Sequence, residues 1–155
     1  MTTASNIEIG SFESAVPATL ERFRSLFNAL DKGNLHRLSE LYSEDIRFQD
    51  PLSSVEGLDD LTRYFAHAYT NAISCQFAFA DAVVNGPYVT LPWTMSLCHK
   101  RIKKGREIRV EGISHLEIRK GKICYHRDYY DAGQLIYEHL PLVGRLVRWV
   151  KGYAG

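Results

Sequence analysis

The sequence predicts an α+β domain in which helices pack on one face of a curved, mostly antiparallel sheet. Three observations carry this. Apolar residues recur at helical spacing through the first part of the chain, strict alternation takes over from Cys75 onward, and glycine-bearing turns divide that second part into strands.

The elements follow in order. Residues 1–12 read as a loose arm. In "PATLERFRSLFNALDKGN", Leu20, Phe23, Phe27 and Leu30 share one helical face, and Gly33 supplies a stop. A short second helix, "LHRLSELY", leads into a strand at "IRFQ". A third helix, "LDDLTRYFAHAYTNA", places Leu58, Leu61, Phe65 and Ala68 on one side. Then come "CQFAFADAVV", "YVTLPWTMSLCHK", "EIRVEGISHLEIRK" and "KICYHRDYY", separated by turn signals at Asn85-Gly86-Pro87, Lys104-Gly105 and Lys120-Gly121. The tail, 132–155, reads as a helical piece broken at Pro141, followed by an amphipathic one. There Leu142, Val143, Leu146, Val147 and Val150 oppose Arg145, Arg148 and Lys151.

The 155 residues make one domain, 1–155, with a core of useful size. A formal net charge of +1 gives no field that would draw the chain to nucleic acid. Cys75, Cys98 and Cys124 are too widely spaced for a disulfide framework or a zinc motif, which fits reduced thiols in the cytoplasm. The first residues have neither a basic start nor a long apolar run, so no signal peptide is expected, and no stretch approaches transmembrane length. The basic amphipathic tail fits a cover for its own domain or for a partner, and less well a contact with an anionic membrane.

One stretch poses a chemical question. In "IRFQDP", Ile46 and Phe48 alternate with Arg47 and Gln49, which puts Asp50 on the apolar face just before Pro51. The segment "LYSEDIRFQDP", with "GLDDLTRYF" and the closing "GKICYHRDYYD", resembles the nuclear transport factor 2-like superfamily over about residues 17–131. That superfamily includes ketosteroid isomerase, scytalone dehydratase, limonene epoxide hydrolase and the SnoaL polyketide cyclases. The resemblance implies a cone-shaped barrel of curved sheet with three N-terminal helices and a C-terminal helical tail. It also implies a ligand pocket inside the cone, a general base at Asp50, and a homodimer. The oxyanion-hole pair of the isomerase does not carry over: Leu26 and Ser114 stand where it has a tyrosine and a protonated aspartate.

Strand parity then gives the inward set. Leu91, Trp93, Met95 and Leu97 share one face, and Val110, Gly112, Ser114, Leu116 and Ile118 another, with Arg109, Glu111, His115 and Glu117 outside. Gly112 leaves room for a strand bend or a ligand. Along "CYHRDYY" two sets compete, and the resemblance places His126, Asp128 and Tyr130 inside. The candidate catalytic groups are therefore Asp50, Asp128 and His126. Tyr130, Ser114, Trp93, Met95, Phe65, Leu26 and Leu116 are the candidate ligand contacts. Two carboxylates in a small apolar cavity push their titrations apart, as acid–base work requires.

Each residue has a plainer reading. Asp50 equally suits a cap on the turn after the strand, and His126 with Asp128 a satisfied buried pair. A metal site would need further inward ligands, and His99 alone fits by parity, so none is expected. The basic turn "KRIKKGR" suits solvent. The expected function is cofactor-free isomerisation, cyclisation or dehydration of a small, largely apolar molecule. The alternatives are binding of a hydrophobic ligand without turnover, or a dimeric interaction module. Epoxide hydrolysis of the limonene type would need an inward arginine, and Arg109 and Arg127 point outward by parity.

Overall fold

The structure is a computed structural model that describes residues 4–136, 139 and 143–154, with side chains from residue 15 onward. Helix α1 (Ala4–Ala29) lays Val16, Leu20, Phe23, Leu26 and Phe27 into the core. It begins within the stretch expected as a loose arm. A helix anchored by packing extends one residue per added hydrogen bond, so the segment before Pro17 continues it even though Pro17 removes one N–H from the ladder. Thr19 and Arg22 fasten α1 to the far end of the sheet by donating to the Gly121 carbonyl at 3.1 and 3.0 Å.

The second helix is a 3₁₀ turn, Leu35–Glu40, not an α-helix. Its entry residue Asn34 makes no side-chain cap, and the chain must enter a strand within six residues. Strands β1 (Tyr42–Gln49) and β2 (Ser54–Glu56) form a hairpin around Pro51. Helix α2 (Leu58–Tyr69) starts after Gly57, whose φ of +88° suits glycine. It has Asp59 and Asp60 in its first turn, favourable at a helix N-terminus. Leu58, Leu61 and Phe65 face inward.

Strands β3 (Ala72–Phe79), β4 (Val83–Asn85), β5 (Tyr88–His99), β6 (Glu107–Arg119) and β7 (Lys122–Tyr130) complete one sheet. Its order is β2-β1-β7-β6-β5-β3, with β4 paired to β5. All pairings are antiparallel except β1 with β7, which returns the early strand beside the last one. The sheet is curved but does not close, and α1 and α2 cover its concave face. At the β3 edge, Asn28 of α1 mimics a missing strand: its amide donates to the Phe77 carbonyl at 3.0 Å and accepts from the Phe77 N–H at 2.7 Å.

The alternation expected for β5 and β6 is observed, with Leu91, Trp93, Val110, Ser114 and Leu116 buried. Two details differ. Glu117 lies on the outer side yet is 8% exposed, because it sits under Arg119, to which it is hydrogen-bonded at 2.7 Å. In β7 the register slips between Ile123 and Tyr125 where they face β6, so Cys124 is an extra residue and Ile123 takes the inner position.

A short helix α3 (Ala132–Leu135) follows β7, capped by Asp131, whose carboxylate accepts from the Gly133 and Gln134 N–H groups. The break expected at Pro141, and Leu142, lie outside the described residues. Helix α4 (Val143–Ala154) docks through Gly144, which is buried, and through Lys151, whose ammonium contacts Asp131. Its apolar side, with Leu146, Trp149 and Tyr153, is exposed. No helix among the described residues is long and apolar enough to cross a membrane.

Candidate active site

A cavity of about 230 Å³ opens between α2 and the concave face of the sheet. That is below the usual range for drug-sized ligands, so a compact molecule fits it. Aromatic and aliphatic side chains line most of it. Its acidic members are Asp50 and Asp128, which come from the ends of β1 and β7 and meet at one hollow.

Asp50 satisfies both readings of the "FQDP" turn. Its Oδ1 accepts from the Leu52 and Ser53 N–H groups, each at 2.8 Å, closing the turn around Pro51. Its Oδ2 points into the cavity and accepts from the hydroxyls of Tyr64 on α2 and Tyr130 on β7, the latter at 3.2 Å. Burial, reinforced by the Asp50 carboxylate, raises both phenols above the ordinary tyrosine range. They remain protonated donors at any physiological pH.

Asp128 ends a buried hydrogen-bonded line. The Trp93 indole Nε1–H donates to Ser114 Oγ at 2.9 Å, and that hydroxyl donates to Asp128 Oδ1 at 2.5 Å. His126 Nε2 lies 2.7 Å from the same oxygen, and His126 Nδ1 lies 2.7 Å from the Tyr42 hydroxyl. Tyr42 has no other side-chain partner among the described residues, and burial drives its phenol well above its ordinary value. The Tyr42 O–H therefore donates to Nδ1, which leaves Nε2–H to donate to Asp128. His126 is 1% exposed and boxed by the rings of Phe23, Phe48 and Tyr42. Oδ2 of Asp128 accepts no hydrogen bond among the described residues, and the side chain reaches the cavity with 18% exposure.

The sequence candidates thus fall into layers. Asp50, Asp128, Tyr130, Trp93, Met95 and Phe65 line the cavity. His126 and Ser114 stand behind Asp128 and touch it without lining the hollow. Leu26 and Leu116 are core residues away from it, because the α1 face and the middle of β6 are filled by the main apolar cluster. Gly112 leaves no space for a ligand, since the ring of Trp93 occupies the place of its missing side chain. His99 reaches the cavity wall, where burial and then the Arg101 charge lower its pKa. Among the described residues no three His, Cys, Asp or Glu side chains stand close enough to share a metal ion.

Two contributors escaped the sequence reading. Tyr64 precedes Phe65 on α2, and only the approach of that helix to the "DP" turn reveals its role. Tyr42 shares parity with Ile46 and Phe48, a signal present in the sequence. Arg109 is exposed, and the Arg127 guanidinium lies 4.6 Å from the Tyr129 ring centroid on the outer side. No arginine or lysine lines the cavity among the described residues.

A family model for the SnoaL-like domain matches residues 23–126. The chain belongs to the SnoaL-like domain family. The match ends at His126, so Asp128 and Tyr130 lie just beyond it on the same strand. Solved structures agree on the fold. A hypothetical protein with a ketosteroid isomerase-like fold from Catenulispora acidiphila DSM 44928, in complex with trimethylamine, superposes with a TM-score of 0.69 at 16% identity, covering 77% of this chain and 90% of that one. An NTF2-like protein of unknown function from Exiguobacterium sp. 255-15 gives 0.62 at 22% identity, covering 74% and 98%. An LEH-like epoxide hydrolase from M. tuberculosis gives 0.59 at 17% identity, covering 80% and 81%. No curated protein matches the sequence. The SnoaL-like fold therefore stands, in a family whose members include isomerases, cyclases and epoxide hydrolases.

Proposed function

We propose that this SnoaL-like protein moves a proton on a small carbonyl compound, as an isomerase or cyclase without a cofactor, with Asp128 as the general base. The observation that carries this reading is the difference between the two carboxylates. Asp50 has both oxygens occupied by donors, two backbone N–H groups and two tyrosine hydroxyls. Asp128 lines the cavity and its Oδ2 accepts no hydrogen bond among the described residues, while Ser114 and His126 hold Oδ1. A base needs a lone pair aimed at the substrate, and Asp128 supplies one. The role assigned to Asp50 in the sequence passes in this reading to Asp128, and Asp50 becomes the anchor of the two tyrosines.

The step balances simply. A C–H bond next to the carbonyl breaks, its proton goes to Asp128 Oδ2, and the electron pair moves onto the carbonyl oxygen as an enolate. Tyr130, whose bond to Asp50 is long at 3.2 Å, turns its hydroxyl to that oxygen. Where a double bond adjoins the deprotonated carbon, the proton returns from Asp128 to the far end of the conjugated enolate, which completes an isomerisation. Otherwise the enolate carbon attacks a second carbonyl, which closes a ring, and the new alkoxide takes the proton back from Asp128. Phe65, Trp93 and Met95 hold the apolar remainder and exclude water. Epoxide opening of the limonene type fits poorly, because no arginine lines the cavity among the described residues.

The test needs no knowledge of the natural substrate. Small cyclic and aryl ketones are incubated with the protein in deuterated water, and loss of the α-proton signal is followed by NMR. Asp128→Asn should abolish the accelerated exchange while leaving ligand-induced shifts in place. Exchange that survives Asp128→Asn, or no acceleration for any ketone that binds, would end the proposal.

A further inference from the structure

We propose that the molecule held in this cavity carries a positive charge, a small substituted ammonium group lying between Asp50 and the surrounding rings. The inference rests on the acid–base reading for what happens at Asp128, but not for the binding preference itself. Asp50 and Asp128 share one apolar hollow, and no lysine or arginine lines it among the described residues. The partners of Asp50 are all neutral: two backbone N–H groups and the hydroxyls of Tyr64 and Tyr130. Asp128 is held by a serine and by an imidazole whose Nδ1 accepts a hydrogen bond from the Tyr42 hydroxyl. His99 does not compensate them, since its surroundings favour the uncharged ring.

An ionised carboxylate inside an apolar enclosure is costly without a cation nearby. The enclosing groups are the kind that recognise one. Phe48, Tyr64, Phe65, Tyr69, Trp93 and Tyr130 all reach the hollow, and the negative faces of such rings attract a cation as water is stripped from it. Aromatic walls with a carboxylate floor suit a methylated amine better than a bare ammonium. A bare ammonium would need hydrogen-bond acceptors on several sides, whereas methyl groups meet rings without loss. With the ammonium over Asp50, Asp128 stands at the same hollow to meet the carbon beside the carbonyl. The fixed positive charge also offsets the enolate as it forms.

The probes are choline and 3,3-dimethylbutan-1-ol, which have the same shape and differ in the charge on the central atom. Binding to the full chain is measured by calorimetry and by the NMR shift of the Trp93 indole proton. Choline should bind at least about tenfold more tightly than the alcohol. That ratio should shrink in Asp50→Asn, which keeps the Oδ1 acceptor and so the turn, and also in Asp128→Asn. Equal binding of the two probes, no choline binding by the folded protein, or a ratio untouched by both variants would overturn the inference. The ketone exchange experiment fails separately. Cation preference without exchange on any ketone leaves this inference standing and ends the acid–base reading. Exchange on neutral ketones without cation preference does the reverse.

Discussion

Gly112 lies directly beneath the indole ring of Trp93, its cross-strand partner, so a Cβ at residue 112 would collide with the ring. The same ring donates to Ser114, which braces Asp128. Gly112→Ala should therefore destabilise the fold by about 1–3 kcal/mol through overpacking. It should also move Trp93 and lower turnover. Urea unfolding and the shift of the Trp93 indole proton check both effects, and an unmoved indole proton would contradict the account.

Tyr42 and His126 form a buried hydrogen bond far from solvent. Tyr42→Phe leaves His126 Nδ1 without a donor and should cost about 1–3 kcal/mol in a denaturant titration. The loss should exceed that of Tyr125→Phe on the outer side of the same sheet.

Tyr130 is the donor proposed for the reacting oxygen. Tyr130→Phe should reduce ketone exchange by about 10²-fold while binding changes little. Tyr64→Phe acts by loosening Asp50, so it should alter the preference for choline over its neutral counterpart.

Asp131 holds helix α4 through Lys151, and that ammonium, with the Gly133 and Gln134 N–H groups, keeps its pKa below the ordinary 3.8. A depressed folded-state pKa contributes stability that is complete above 3.8 and is lost as pH falls through the lower value. Acidification below about pH 4 should thus release α4 before the core unfolds. Trp149 reports this release by fluorescence, and Lys151→Ala should produce it at neutral pH.

Cys75 reaches the cavity, and burial pushes its thiol from the ordinary 9.0 up to about 11, against the opposing effect of its hydrogen bond with Tyr69. The unfolded chain ionises first as pH rises, so this thiol's contribution to stability fades between pH 9 and about 11. Alkylation by iodoacetamide should be slow at pH 8 and still accelerating above pH 9. Choline-sized ligands should slow it further.

The fold was legible because its signals are periodic and local. Parity along β5 and β6 sorted Trp93, Met95, Ser114 and Leu116 to the inner side, and parity on β1 turned Asp50 inward. β2 was not legible, since three residues after a proline turn carry no pattern. The difference in hydrogen bonding between the two carboxylates was not legible either. It depends on which donors reach Asp50, and Tyr64 arrives there only through the packing of α2 against β1. Leu116 shows the limit of parity: an inward side chain enters either a packed core or a hollow, and alternation does not distinguish them. Leu26 came in through the resemblance to the isomerase, and α1 turns it into the packed core instead.

The pairing of Asn28 with Phe77 has a consequence for the molecule's behaviour among its own kind. β3 is a long border of the sheet, and a bare border is a template on which other chains zip into fibrils. Because a helix side chain already holds both main-chain groups of Phe77, an incoming strand would first have to evict it. A single amide thus acts as a stopper against runaway assembly, built from the same helix that walls the interior.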